Sequence, residues 1–358
     1  MNDSQRQFLT ELLDTPSPSG FESSGQRCWF EYVRQFADRV ESDTYGTAWA
    51  TRDGSAGADG PTVMLEAHAD EIGFMVNHIN DDGFIFVMRI GGSDRAIARG
   101  KAVRILGEEG PVTGIIGNTA IHLRETRTEK VPEWHKIFVD VGATSRDEVL
   151  SRGIQVGHPM VYADTTVELT PDRLTGRALD NRIGGYIIAQ VMARLSKQDR
   201  PSASVYAVNS VQEEIGGHGA KMVAYRLHPT VAVILDVTHA TDTPAVEKTK
   251  HGDVKLGGGP SVTFGSCNHP MVVRRLLDVA AEKEIKIQRE ASSLFTGTDT
   301  DDVFISRSGV PSALISLPMR YMHSTVETVT LQDVEQCIEV LVGFVTSIKA
   351  KDKFAVDV

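Results

Sequence analysis

The sequence predicts an α/β fold: a mixed sheet flanked by helices, with a small all-β unit set inside it. Three observations predict it. Apolar stretches of strand period and of helix period alternate after residue 165, and two helices followed by a buried strand open the chain. From about residue 72 to 165, short β-like runs follow one another, punctuated by Gly and Asp, with few helical patterns between them. The chain has 358 residues, which at ~150 per domain is two domains, or one large domain with an insertion.

Taken in order, Phe8, Leu9, Leu12 and Leu13 make the apolar face of a first helix, and Pro16, Pro18 and Gly20 end it. Cys28, Trp29, Tyr32, Val33 and Phe36 give a second helix. Thr62-Val-Met-Leu-Glu-Ala67 reads as a buried strand and runs into His68-Ala-Asp-Glu-Ile-Gly73. The β unit follows, with runs at 74–79, 83–90, 102–106, 112–116 and 137–141, a spacing that suits a barrel. Beyond it, Ile183, Ile187, Val191 and Leu195 recur at helical spacing. Strands at 204–211 and 231–236 flank a helical stretch near 217–227. A helix at about 270–284, a strand at 312–317 and a final helix at about 330–348 complete the pattern. The predicted organisation is a discontinuous α/β domain of residues 1–71 and 166–358, with a barrel-like domain, 72–165, inserted.

Composition narrows the function. There are 37 Lys+Arg against 48 Asp+Glu, a net charge of −11, and no basic cluster, which argues against nucleic acid or anionic membrane as the main partner. Cys28, Cys267 and Cys337 stand far apart, with no CxxC pair, as expected in a reducing compartment. The first residues are polar, and no window approaches the ~18 uncharged apolar residues of a membrane span, so a cytoplasmic protein is expected.

Acids and histidines fall where strands end. His68 and Asp70 follow the strand 62–67, Glu213 and Glu214 follow 204–211, Asp236 ends 231–236, and His323 comes a short turn after 312–317. Asp180 lies in Arg177-Ala-Leu-Asp-Asn-Arg182 at a helix start. Ligand sites of α/β sheets gather at the carboxyl ends of strands. Imidazole and carboxylate without thiolate is a donor set for Zn²⁺, Co²⁺ or Mn²⁺. A two-metal centre needs a carboxylate bridge and a general base that is not itself a ligand, and the adjacent Glu213 and Glu214 can divide such tasks. Asp70, at i+2 from His68 on an extended segment, has the spacing to accept the free imidazole N–H.

These motifs resemble the tetrahedral aminopeptidases, a family that includes glutamyl and deblocking aminopeptidases and some members named endoglucanases. The resemblance rests on His68-Ala-Asp-Glu-Ile-Gly73, Ala178-Leu-Asp-Asn-Arg182, Val211-Gln-Glu-Glu-Ile-Gly216 and Arg320-Tyr-Met-His-Ser324. Pro18-Ser-Gly-Phe21, Ile90-Gly-Gly92, Gly252-Asp-Val-Lys-Leu-Gly257 and Gly297-Thr-Asp299 extend it along most of the chain. It implies a zinc-peptidase α/β domain that removes the N-terminal residue of peptides, and two divalent metal ions per subunit, Zn first, with Co or Mn also compatible. His68 would bind one ion, His323 the other, and Asp180 would bridge them. Glu214 and Asp236 would complete the two sets, Glu213 would be the general base, and Asp70 would orient His68. It also implies a homo-oligomer, a tetrahedral dodecamer, with the inserted domain making dimer contacts. The sequence departs from the family at His218, where a basic residue is usual, at Ala69, where Met is common, and at the extra acid Asp301. These touch specificity rather than the ligands.

Blander readings stand beside these. Asp180 could be only the N-cap of its helix. Cys267 with His269 could be a nucleophile pair, although adjacency in sequence is not geometry. Gly257-Gly-Gly-Pro260 lacks the Lys-Ser/Thr of a phosphate loop and reads as a turn, and 291–298 reads as a loop near the pocket. Rival functions are glycoside hydrolysis, which needs two carboxyls about 5–9.5 Å apart and no metal, and a non-catalytic binding or assembly protein on the same fold.

Overall fold

The computed structural model describes residues 1–124 and 130–357. The chain adopts the α/β fold that its periodicities predict. A hairpin, β1 (Arg39–Ser42) and β2 (Ala48–Arg52), precedes β3 (Thr62–His68). The chain then builds β4 (Gly73–Ile79), β5 (Ile85–Ile90), β6 (Ala102–Gly107), β7 (Gly110–Ile116), β8 (Phe138–Asp140) and β9 (Pro159–Tyr162). These six close into a barrel in the order β4-β5-β8-β7-β6-β9, with antiparallel pairs. After β10 (Val167–Thr170) and β11 (Arg173–Gly176) come β12 (Ser204–Ser210), β13 (Val231–His239), β14 (Ser261–Phe264), β15 (Gln288–Ala291), β16 (Ser312–Met319) and β17 (Glu327–Thr330). The large sheet runs β1-β2-β12-β3-β13-β16-β14-β15, and β10-β11-β17 make a small one.

The period of two decides what each face of the sheet carries. Val63, Leu65 and Ala67 of β3, with Val231, Val233 and Leu235 of β13, join the main core beneath helices Asp3–Asp14, Ser23–Val33, Leu179–Leu195, Pro270–Glu282 and Leu331–Ser347. Met64, Ala232 and Ile234 face the other side, where helix His218–Leu227 supplies Ala220, Val223 and Ala224. By the same alternation Glu66, His68 and Asp236 project on that second face. The barrel has its own core, built on Phe74, Val76, Ile85, Val87, Val103, Ile105, Val139 and Met160.

Four central strands, β12, β3, β13 and β16, are mutually parallel, so their carboxyl ends meet at one edge. Ser210 is opposite His68. Ile234 is opposite Glu66, and two residues further on Asp236 draws level with His68, one strand spacing of about 4.8 Å away.

The hairpin β1–β2 and the pair β14–β15 are not anticipated by the sequence reading. Each is four or five residues long. Strand β15, Gln-Arg-Glu-Ala, is a polar sheet edge with no apolar run to betray it. Strands β13 and β16 run two to three residues past their expected ends, to His239 and Met319.

Candidate metal centre

All seven residues singled out from the sequence converge on this edge. His68 is buried on β3, and its Nε2 lies 3.2 Å from Asp180 Oδ1, 3.8 Å from Glu213 Oε2 and 3.9 Å from Asp236 Oδ1. Across from it, His323 Nε2 lies 3.3 Å from Asp180 Oδ2 and 3.6 Å from Glu214 Oε2. One carboxylate therefore faces both imidazoles, one oxygen to each. The six side chains line a cavity of about 570 Å³ with Gly92, His239, Met322 and residues 296–298.

Asp180 reaches this position through an irregular helix start. Ala178 has φ 60, Asp180 and Asn181 are non-helical, and the peptide bond between those two is cis. Asn181 Nδ2 donates to Leu235 O at 2.7 Å, which ties the segment to β13. The N-cap reading of Asp180 is corrected here: its carboxylate is turned to the two imidazoles, and no side chain caps the helix. Glu327 of β17, buried, accepts the Asp180 amide at 3.1 Å and the His323 amide at 2.9 Å. A single carboxylate thus sets the spacing of two site segments.

Asp70 braces the other side. Its Oδ1 lies 3.4 Å from His68 Nδ1, and its own carbonyl oxygen lies 3.2 Å from the same nitrogen. Ser19 Oγ donates to it at 2.6 Å, and the amides of Glu213 and Glu214 donate at 3.1 Å each. It therefore holds the imidazole and the Glu213–Glu214 backbone together. That backbone is a turn after β12, with Gln212 at φ 62. The turn directs Glu213 toward His68 and Glu214 toward His323.

The electrostatics reflect crowding. Burial drives the Glu213 carboxyl up against the pull of His68, and Asp236, Asp299 and Asp180 add to the rise, to about 9. Asp236 is pushed to about 7, by burial first, and Glu214 rises well above its usual range by burial and the Asp180 charge. Asp180 goes the other way: burial opposes ionisation, but hydrogen bonds from His323 and His68 hold it well below the usual carboxylate range. Burial lowers the His68 imidazole, and Asp180, Asp70 and Glu213 more than reverse that. Mutually repelling carboxylates at imidazoles are a donor set that a divalent cation neutralises. Three groups of donor atoms lie within 4.8 Å of one another: His68–Asp180–Asp236, His68–Glu213–Glu214 and Asp180–Glu214–His323. The first and third share Asp180 and take one imidazole each, so the residues fit a two-ion site.

Sequence reasoning gave no role to Glu66, Asp299 and Glu327. Ser210 Oγ lies 2.6 Å from Glu66 Oε1 and 2.9 Å from Asp299 Oδ2, which brings the two buried carboxyls together. Burial pushes Asp299 up to about 6 and Glu66 well above its usual range. Asp299 belongs to a motif quoted above, Gly297-Thr-Asp299, which was the available signal. Asp301 is a brace: it accepts the amides of Thr296 and Gly297 at 2.8 Å and the Cys267 thiol at 3.2 Å. His269 caps its helix by accepting the Met271 amide, and the Cys267 thiol donates to Asp301, so among the described residues the two do not form a thiol–imidazole pair. His218 is exposed and contacts Gln212.

The family model of M42 glutamyl aminopeptidase matches residues 46–340. The chain belongs to that family. It is 34% identical over 351 residues to the lysyl aminopeptidase of Pyrococcus furiosus, covering 97% of this chain and 98% of that one. Among solved structures, the aminopeptidase of the archaeon Desulfurococcus kamchatkensis superposes with a TM-score of 0.90 at 32% identity, covering 97% and 96% of the two chains. The TET1 peptidase of Pyrococcus horikoshii, described as able to assemble into a tetrahedron or a large octahedral shell, matches with a TM-score of 0.85 at 26% identity, over 96% and 100%. Fold and M42 membership support a peptide hydrolase of the aminopeptidase class.

Proposed function

We propose that this M42 chain removes the N-terminal residue of peptides and does so with two divalent metal ions. The observation that carries the reading is the Asp180 carboxylate, with one oxygen toward each imidazole, Asp236 beside the first and Glu214 beside the second. His68, Asp180 and Asp236 would hold one ion, and Asp180, Glu214 and His323 the other. The donor set suits Zn²⁺ first, with Co²⁺ and Mn²⁺ compatible. Bound there, two such ions lower the pKa of a water molecule and polarise the peptide carbonyl.

The chain's own residues do the rest. Glu213 is left over from the two ligand sets and lines the cavity 3.8 Å from His68 Nε2. It takes the proton of the attacking water and gives it to the departing amine. Asp70 holds His68 in one tautomer and orientation, the usual task of a carboxylate behind a ligand histidine. The acidic cavity wall attracts the free α-ammonium group of the substrate.

The assembly reading is supported by the barrel surface, where Met88, Ile115, Ile121 and Leu123 are exposed. We place the subunit contacts of a tetrahedral dodecamer on this barrel, residues 72–165. Three unpaired cysteines support a cytoplasmic location. Release of p-nitroaniline from aminoacyl-p-nitroanilides, abolished by EDTA and restored by Zn²⁺, Co²⁺ or Mn²⁺, tests the activity. p-Nitroanilide release that survives chelation contradicts the two-metal reading, and chelator-resistant cleavage of a p-nitrophenyl glycoside by a chain that releases no p-nitroaniline points to glycoside hydrolysis instead.

A further inference from the structure

A second chamber of about 370 Å³ opens beside the metal cavity and shares Val237, Thr238, Thr296 and Thr298 with it. Leu294, Phe295 and Leu314 supply apolar surface among a lining that is otherwise rich in Thr and Ser hydroxyls, Thr263, Ser292 and Ser316 among them. Among the described residues, its lining holds one charged group, Glu290.

Glu290 stands on the edge strand β15 and is held in place. Thr238 Oγ1 donates to Oε1 at 2.6 Å, and Ser261 Oγ donates to Oε2. Each oxygen keeps a further lone pair for a ligand. No cation pairs with the carboxylate among the described residues. The adjacent Arg289 stacks on Phe264 at 4.4 Å, and neighbours along a strand point to opposite faces.

The distance to the metal cavity suits a side chain. Thr238 lies two residues beyond Asp236 on the same face of β13, about 6.6 Å at 3.3 Å per residue. The Glu290 carboxylate touches Thr238, so it sits about one extended lysine stem from the Asp236 end of the cavity. The apolar surface of Leu294, Phe295 and Leu314 suits the methylenes of a long cationic side chain, and the surrounding hydroxyls suit the charged group at its tip. A neutral side chain in the chamber would desolvate Glu290 with nothing in return.

We propose that this chamber receives the side chain of the substrate's N-terminal residue, and that Glu290 makes it select lysine or arginine. The proposal rests on the aminopeptidase reading above and deepens it by naming a substrate class.

The test is Glu290→Gln, which keeps the shape and the two hydroxyl contacts and removes the charge. The metal-loaded wild type is expected to prefer lysyl- and arginyl-p-nitroanilide over the leucyl compound. In the variant, kcat/KM for the basic substrates is expected to fall roughly 10- to 100-fold, mainly through KM, while the leucyl value rises because no charge is desolvated, so the lysine-to-leucine ratio collapses. Calorimetric titration with free lysine, which needs no turnover, is expected to weaken by a similar factor. An unchanged lysine-to-leucine ratio with unchanged lysine binding overturns the proposal. Weakened lysine binding in a protein that hydrolyses no aminoacyl-p-nitroanilide supports the chamber while overturning the aminopeptidase reading.

Discussion

Burial pushes the carboxyls of Glu213 and Asp236 up to about 9 and about 7, with neighbouring acids adding to the rise. A carboxyl raised in the folded chain keeps a proton that the unfolded chain has lost, so stability falls as pH climbs from the unfolded value of ~4 through the folded one. His68 and His323, also raised, act in the same sense: their contribution is full below their unfolded pKa of ~6.5 and is lost as pH rises through the folded value. Asp180 and Asp70 are held low and stay ionised over this range, so they matter only in acid. The chelator-stripped chain is therefore expected to lose thermal stability between about pH 5 and 9, and saturating divalent ion to remove most of that slope. Melting temperatures with and without EDTA check this. A stripped chain whose melting temperature rises over that range contradicts it.

Among the elements, the barrel reaches into the site through one short connection. Gly91 and Gly92 follow β5, and a Cβ on Gly92 would meet His323 Nδ1 at 2.4 Å, far inside contact distance. Gly92 also makes a backbone hydrogen bond with His323. His323 itself sits at φ 59 on the turn after β16, so it has little room to yield. Gly92→Ala is expected to displace the imidazole and reduce bound metal from two ions per chain to one, with the fold intact by circular dichroism. Elemental analysis of the purified variant reads the outcome, and two ions with full turnover would count against it. Through Gly92 this connection thus completes the cavity wall beside His323.

At the level of the whole molecule, light scattering checks the proposed assembly: twelve chains of 39.0 kDa weigh about 470 kDa. A monodisperse monomer or dimer would contradict it. The net charge of −11 also takes on a location, since Asp70, Asp180, Glu213, Glu214 and Asp236 share one cavity and its wall, and the proposed cations would offset part of that charge. Much of this organisation is legible in the sequence. Long apolar strands such as Thr62–His68 and helices such as Leu179–Leu195 have strong periods, and a polar residue at the end of an apolar strand stands out. Glu327 does not stand out, because its strand, Glu-Thr-Val-Thr, has four residues and reads as surface. Glu66 lies inside an apolar run, where an acid reads as an exception until Asp299, 233 positions away, is seen beside it. Glu290 escapes for a related reason: a polar edge strand gives no cue that it backs a chamber.

The most direct measurement is aminoacyl-p-nitroanilide turnover by wild type and Glu213→Gln, with metal content determined on the same preparations. The expected result is a wild type that loses activity in EDTA, and a variant that keeps two ions but turns over roughly 10²- to 10⁴-fold more slowly. Activity that persists without metal, or a metal-loaded variant close to wild-type turnover, would contradict a two-metal aminopeptidase with Glu213 as its base.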